Sequence, residues 1–348
     1  MRKIIVLGGA GFIGTNLCLS ALRKGISVVL FDNFLRKGTD SNLDFIQKSG
    51  FGQLEVVRGD IRSIKDLEKL FEKHSDADII FHLAGQVAVT ESVRNPREDF
   101  EINALGTLNV LEVMREKGIK GLLLYASTNK VFGNLKGLEV VEEKTRYKLK
   151  DYPNGIPENY PLDFHSPYGC SKGAADQYVI DYSRMFGLKT VVFRQSCIYG
   201  YHQFGIEDQG WVAWFIIASL FDMPITIFGD GKQIRDILFV DDLIEAYWAA
   251  ASAPHLHTGQ VYNIGGGAEC QSSLLELLEY LEKLLPKKNS IKFSEPRPGD
   301  QLVFVCDIEK SKKELGWAPR TNVELGVKLL VDWVAQNKEI FHQAGVVR

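Results

Sequence analysis

Lys3-Ile4-Ile5-Val6-Leu7-Gly8-Gly9-Ala10-Gly11-Phe12-Ile13-Gly14 stands near the start of the chain. Residues 3–7 are continuously apolar and rich in β-branched side chains, the pattern of a strand buried on both faces. Gly8, Gly11 and Gly14 follow, and an apolar-periodic run predicts a helix over 12–24. Glycines so spaced permit a tight turn, close approach of backbone to a pyrophosphate, and close packing of helix on strand. The helix start at Phe12 and Ile13 directs unpaired N–H groups and a positive dipole end at such an anion. A second strand, 27–31, ends at Asp32. A carboxylate there can accept both hydroxyls of a ribose and repels a 2′-phosphate, which favours NAD over NADP. Arg36 and Lys37 lie just downstream and are of the type that meets a phosphate, but the acid decides the reading.

Strand and helix patterns go on alternating. Strands are predicted at 54–58, 78–83, 121–126 and 189–194, and helices at 62–74, 97–117 and 169–187. The expected fold is α/β, a Rossmann-type doubly wound parallel sheet covered on both faces. Ligands of such sheets bind beyond the carboxyl ends of the strands. Those ends hold Asp60 and Ile61, then His82-Leu83-Ala84-Gly85-Gln86, then Ala126-Ser127-Thr128. Beyond residue 194 the pattern loosens. Strands are expected at 225–227, 237–240 and 261–264, with helices at 209–221, 241–252, 273–285, 308–315 and 322–337. This predicts a smaller, interleaved C-terminal substrate lobe, with residues 1–194 plus about 236–264 in the dinucleotide domain and about 195–235 plus 265–348 in the other. Segment 134–166, with Pro153, Pro157 and Pro161, is a long excursion of the kind that folds over a substrate.

His165-Ser166-Pro167-Tyr168-Gly169-Cys170-Ser171-Lys172 carries the chemistry. A spacing of four puts the Tyr168 phenol and the Lys172 ammonium on one helix face. Free tyrosine has a pKa of about 10 and is a poor base at neutral pH. A cation beside it favours the phenolate, each unit of lowering needing only about 1.4 kcal/mol. Such a pair can take a proton from a sugar hydroxyl.

Bulk properties exclude several classes. A net charge of −3 provides no drive for nucleic-acid binding, and no apolar stretch reaches the ~20 residues of a membrane span. The apolar run after Met1-Arg2-Lys3 breaks at once into glycines, unlike a signal peptide. Five scattered cysteines without a C-x2-C pair read as reduced cytoplasmic thiols. His255-x-His257, beside Pro254, reads as a solvated loop, so no metal is expected.

Together these residues resemble the nucleotide-sugar epimerases and dehydratases of the extended short-chain dehydrogenase/reductase superfamily. The matching elements are Gly8, Gly11 and Gly14, Asp32, Asp60, His82-Leu83-Ala84-x-Gln86, Asn103, Ser127-Thr128, Tyr168-x3-Lys172 and Gly229-Asp230-Gly231-x-Gln233-x-Arg235-Asp236. A further set is similar to the family of CDP-paratose 2-epimerases, also called CDP-tyvelose 2-epimerases. It comprises Ser127 to Val131, Glu143-x-Thr145-Arg146-Tyr147, Pro153-Asn154-Gly155, Leu162 to Pro167, Asp176-Gln177-Tyr178 and Asp208 to Val212.

The resemblance implies a retained NAD, met by Asn33, Asp60, Ile61, Leu83, Ala84, Gln86, Asn103, Ser127 and Gln195 as well as by the glycine turn and Asp32. It implies Tyr168 as base, Lys172 on the nicotinamide ribose and lowering the Tyr168 pKa, and Thr128 on the reacting hydroxyl. Gln86, Ser196 and Trp211 would meet the substrate, Arg235 and Arg297 its diphosphate, and Asp300 the nucleotide ribose. Arginine suits a diphosphate because its planar fork meets two oxygens at once. Arg297-Pro298-Gly299-Asp300 reads as a rigid loop holding cation and carboxylate over one ligand. The substrate implied is a nucleotide sugar, a CDP-sugar for preference. The resemblance also implies a cytoplasmic homodimer or homotetramer built on helices 97–117 and 169–187, serving lipopolysaccharide O-antigen biosynthesis. Two positions depart from common family members: Phe132 replaces a tyrosine, and Cys197 replaces a substrate-contacting asparagine.

The expected activity is that of an isomerase, an NAD-dependent epimerase working through a transient ketone. In a 3-deoxy sugar a C4 ketone acidifies C3 and C5 but not C2, so inverting C2 requires a 2-keto intermediate. A UDP-sugar 4-epimerase is the alternative. A 4,6-dehydratase needs an acid and a base after the Ser/Thr, where this chain has Asn129 and Lys130. A non-enzymatic NAD-binding protein would not need Thr128, Tyr168 and Lys172 together.

Overall fold

The computed structural model describes residues 1–285, 289–297 and 300–347. Seven parallel strands are β1 (Lys3–Leu7), β2 (Ser27–Asp32), β3 (Leu54–Arg58), β4 (Ile79–His82), β5 (Leu122–Thr128), β6 (Thr190–Gln195) and β7 (Gln260–Ile264). They form one Rossmann-type sheet in the order β3-β2-β1-β4-β5-β6-β7. The order reverses between β1 and β4, which opens a crevice at their carboxyl ends. Ile4 and Val6 enter one core while Ile5 and Leu7 enter the other, and this is why β1 is apolar throughout. Helix α1 (Phe12–Arg23) and helix Val240–Ser252 cover the first face. Helices Ile64–Lys73, Gly106–Glu116 and Ser166–Phe186 cover the second.

The pattern expected as one helix at 97–117 folds as Pro96–Phe100 and Gly106–Glu116 joined by a π-helical turn, Glu101–Leu105. Such turns re-aim side chains and are frequent at functional sites. Here the turn carries Asn103, which reaches back to the loop after β4.

In the small lobe, strand Ile234–Phe239 pairs with Cys197–Tyr199, Gln271–Ser273 and Val303–Phe304. Helices Trp211–Leu220, Leu274–Leu284 and Val323–Gln336 pack into its core. The chain passes from this lobe directly into helix Val240–Ser252, which lies on α1.

The excursion is built into this lobe. It forms a hairpin of Val140–Glu142 with Tyr147–Leu149, and Leu135, Leu149 and Ile156 share a core with Ile234, Val303 and Phe304. Arg146 grips Glu276 with two bonds of 2.7 and 2.6 Å, and Tyr147 donates to Asp230 at 2.6 Å. The motif Thr145-Arg146-Tyr147 therefore holds the excursion to the lobe. Phe132 also serves packing: it stacks on Phe304 with Arg194 over its ring.

Candidate active site

A cavity of about 580 Å3 lies along the carboxyl ends of β1 to β4. Of the expected cofactor contacts, Gly8, Gly11, Phe12, Ile13, Gly14, Asp32, Asn33, Asp60, Ile61, Leu83, Ala84 and Gln86 line it. The β1 turn works as its glycines suggest. Gly8 has φ +81°, and a Cβ there would stand 2.6 Å from the Ala84 nitrogen; one on Gly14 would stand 2.3 Å from the Gly8 oxygen. No side chain caps the start of α1, so its first N–H groups remain open to an anion. Asp32 accepts Ala10 N–H at 3.0 Å and Phe34 N–H at 2.9 Å. Burial raises its pKa and these bonds oppose the rise. Burial also works against Asp60, but bonds from Arg62 and Asn33 win and hold it at about 2. A turn for a pyrophosphate, a carboxylate at the β2 end and a second after β3 together fit a dinucleotide.

Tyr168 and Lys172 lie in the first turns of the Ser166–Phe186 helix, both buried. Ser92 orients the helix start, its hydroxyl accepting Tyr168 N–H at 3.1 Å. Ser166, just before, sits at φ +64°, a strained setting for a non-glycine residue of the kind that clusters at functional sites. The Tyr168 phenol lies close enough to Thr128, at the end of β5, for that side chain to pull its pKa down. Lys172 Nζ donates to Ala126 O at 2.6 Å, lies 4.2 Å from the Tyr125 ring centre, and would stand 3.9 Å from a Cβ on Gly85, which lines the cavity.

Burial dominates the electrostatics of the pair. Burial pushes Tyr168 up to about 12, with Thr128 and Arg36 pulling it down and Asp99 pushing it up. Lys172 itself is driven by burial down to about 7, against Asp176 and Asp99. Its folded pKa thus lies below the unfolded value of about 10.4. Between those values the unfolded chain binds more protons, so the Lys172 contribution to stability rises with pH. Lys172→Met is expected to remove a slope of up to about 1.4 kcal/mol per pH unit between about pH 7 and 10. Urea unfolding of the NAD-free protein across that range checks this, and an unchanged slope would mean the ammonium is solvated.

Asp99 was not anticipated. It accepts from Ser171 at 2.5 Å, Asn103 at 3.1 Å and Gln86 at 3.1 Å. Asn103 also bonds the Gln86 backbone both ways, at 2.9 and 3.1 Å. The network ties the loop after β4 to the Ser166–Phe186 helix, and Asn103 is buried within it rather than in the cavity lining. His82 bonds Thr107 at 3.0 Å and is held neutral by burial, its pKa down to about 3. That is the strand-end role its position suggests.

Several residues expected to contact a ligand also bond within the protein. Ser127 donates to the buried Asp176 at 2.6 Å, Gln195 to Tyr247 at 2.5 Å, and Ser196 to Asp236. Each side chain is engaged by a neighbouring polar group, which its place at a strand end does not reveal. Arg235 and Asp300, both expected on the substrate, pair with each other at 2.5 Å, and Lys130 stands 3.6 Å from the same carboxylate. Arg297 holds Asp208 at 3.1 Å and lies over Phe228; Pro298 and Gly299 of its loop fall outside the described residues. Trp211 packs edge-on against Phe215, and Cys197 is a strand residue whose thiol pKa is raised by burial. All five cysteines are free. Among the described residues no cluster of His, Cys, Asp or Glu is placed to hold a metal ion, and no helix is long and apolar enough to cross a membrane.

Residues 4–265 match the model of the NAD dependent epimerase/dehydratase family. The chain is 46 % identical over 338 residues to CDP-paratose 2-epimerase of Salmonella typhi, covering 96 % of this chain and 99 % of that one. It is 32 % identical over 336 residues to a putative UDP-glucose 4-epimerase of Methanocaldococcus jannaschii, with the same two coverages of 96 % and 99 %. Its fold matches the crystal structure of UDP-glucuronic acid 4-epimerase from Bacillus cereus, solved with UDP-glucuronic acid and NAD. That match has a TM-score of 0.83 and 28 % identity, over 97 % of this chain and 100 % of the other. A dinucleotide cradle beside a Thr128–Tyr168 pair, on a sheet of this order, accords with these likenesses, and the chain belongs to the NAD dependent epimerase/dehydratase family.

Proposed function

We propose that the chain is an NAD-dependent epimerase that inverts C2 of a CDP-linked 3-deoxy sugar, converting CDP-paratose to CDP-tyvelose. The 46 % identity carries this reading, because it extends over 96 % of the chain and so takes in the small lobe and the excursion as well as the sheet. NAD, when bound, supplies reversible hydride transfer at the carbon bearing the reacting hydroxyl. The cradle of Gly8 to Gly14, Asp32 and Asp60 would hold it. Thr128 and Tyr168 present two neighbouring hydroxyls, one to orient the sugar hydroxyl and one to take its proton and return it. A 3-deoxy sugar has no route to C2 inversion through a C4 ketone, so the hydroxyl presented must be that on C2.

Incubation with CDP-paratose is expected to give both C2 configurations by NMR. Inertness there, with inversion at C4 of a UDP-hexose, would move the chain to the UDP-sugar 4-epimerases. The assembly proposed is a cytoplasmic homodimer or homotetramer acting in O-antigen sugar synthesis. It is supported by Phe100, Leu105, Tyr178, Met185 and Phe186, exposed apolar side chains on adjoining helices.

A further inference from the structure

We infer that Lys130 binds the phosphate that carries the sugar, and thereby selects which carbon of the ring meets Thr128 and Tyr168. This rests on the nucleotide-sugar reading above and adds to it a residue and a basis for choosing the carbon. Lys130 spans the site. Its backbone N–H donates to Thr128 Oγ1 at 3.2 Å, while its Nζ lies 3.3 Å from Gln301 Oε1 and 3.6 Å from Asp300 Oδ1. Arg235 holds that same carboxylate oxygen at 2.5 Å.

Two cations thus share one carboxylate, and Arg235 is only 6 % exposed. The Lys130 side chain is itself largely covered, at 22 %. Excess positive charge in such a setting is offset when a ligand brings an anion. Burial and the neighbouring Arg235 lower the Lys130 pKa and Asp300 opposes them, in keeping with an ammonium that lacks a full counter-charge.

The position of the charge names the anion. The 3-10 turn Asn129–Phe132 starts at Thr128, whose hydroxyl caps it, so the Lys130 backbone is fixed beside the reacting hydroxyl. A nucleotide sugar running from Thr128 toward Arg235 presents the sugar-linked phosphate between them. That phosphate is attached at C1. C2 is the neighbouring carbon, whereas C4 lies across the ring. A cation rooted two residues from Thr128 therefore favours a sugar held with C2 at the catalytic hydroxyls.

Calorimetric titration of the native holoprotein and of Lys130→Gln with CDP, CMP, UDP and UMP tests this. The terminal phosphate of a nucleoside diphosphate stands for the sugar-linked one, and a monophosphate lacks it. Lys130→Gln is expected to weaken diphosphate binding by about tenfold or more, as for loss of a charge-assisted bond, and to leave monophosphate binding close to native. Lys130→Arg is expected to recover most of the diphosphate affinity. Equal weakening of both classes would show that Lys130 only holds Asp300 in place, and would overturn the inference. Preference for cytidine over uridine in the native protein separately tests the nucleotide assigned above, because the diphosphate-to-monophosphate ratio reports on Lys130 whichever base binds.

Discussion

Replacing Tyr168 with phenylalanine is expected to lower kcat by about 10²- to 10⁴-fold, the usual range for losing a positioned acid–base group, while NAD stays bound. The substitution removes one oxygen. It leaves the ring buried and leaves the backbone N–H on Ser92, so the helix start and the cavity wall should keep their shape. The size of the loss follows from where the phenol stands. Burial holds it at about 12, so ionising it at neutral pH costs about 7 kcal/mol, which the charges around it and the reacting proton must offset. Arg36 already acts downward. Lys172, four residues along the same helix, is a further cation that would act if its ammonium left Ala126. Phenylalanine offers no proton site for any of these charges to act on. Steady-state turnover and the NAD released on denaturation give the two readouts. Turnover near the native rate with full NAD would take Tyr168 out of the mechanism.

Much of the frame was legible because it rests on short-range rules. β1 and β3 fall where the apolar runs put them, and Tyr168 and Lys172 share a buried helix face as their spacing requires. Helices Thr39–Lys48 and Val89–Arg94 were missed. The first is largely polar, with Leu43, Phe45 and Ile46 its only apolar residues, and the second is only six residues long. The site was harder to read for a different reason. Ser127, Gln195 and Ser196 sit at strand ends where ligand contacts are expected, but buried Asp176, Tyr247 and Asp236 take their polar groups. Lys130 and Asp300 meet across 170 positions of sequence, a pairing that no local pattern announces. Asp99 has the same character: its partners Gln86, Asn103 and Ser171 come from separate segments.

Asp176→Ala is expected to destabilise the protein by about 3–5 kcal/mol, the range for stranding one member of a buried ion pair. Asp176 is fully buried and accepts from Arg194 at 3.0 and 3.1 Å and from Ser127 at 2.6 Å. It thereby joins the Ser166–Phe186 helix to the ends of β5 and β6. Without it the Arg194 guanidinium, 4 % exposed, keeps only the Glu158 carbonyl and the face of Phe132. Replacing both partners, Asp176→Leu with Arg194→Met, removes the stranded charge. It should recover most of the lost stability, since apolar replacements of buried pairs are often neutral. Urea unfolding of the single and double variants measures the difference, and equal losses in both would show that the pair is not what holds these elements together. The double variant also separates fold from function. Asp176 is the largest influence raising the Lys172 pKa against burial, so removing it lowers that pKa further and leaves less of the ammonium at neutral pH. Stability should therefore return in the double variant while turnover at neutral pH does not, and lowering the pH should restore part of it as Lys172 takes up its proton.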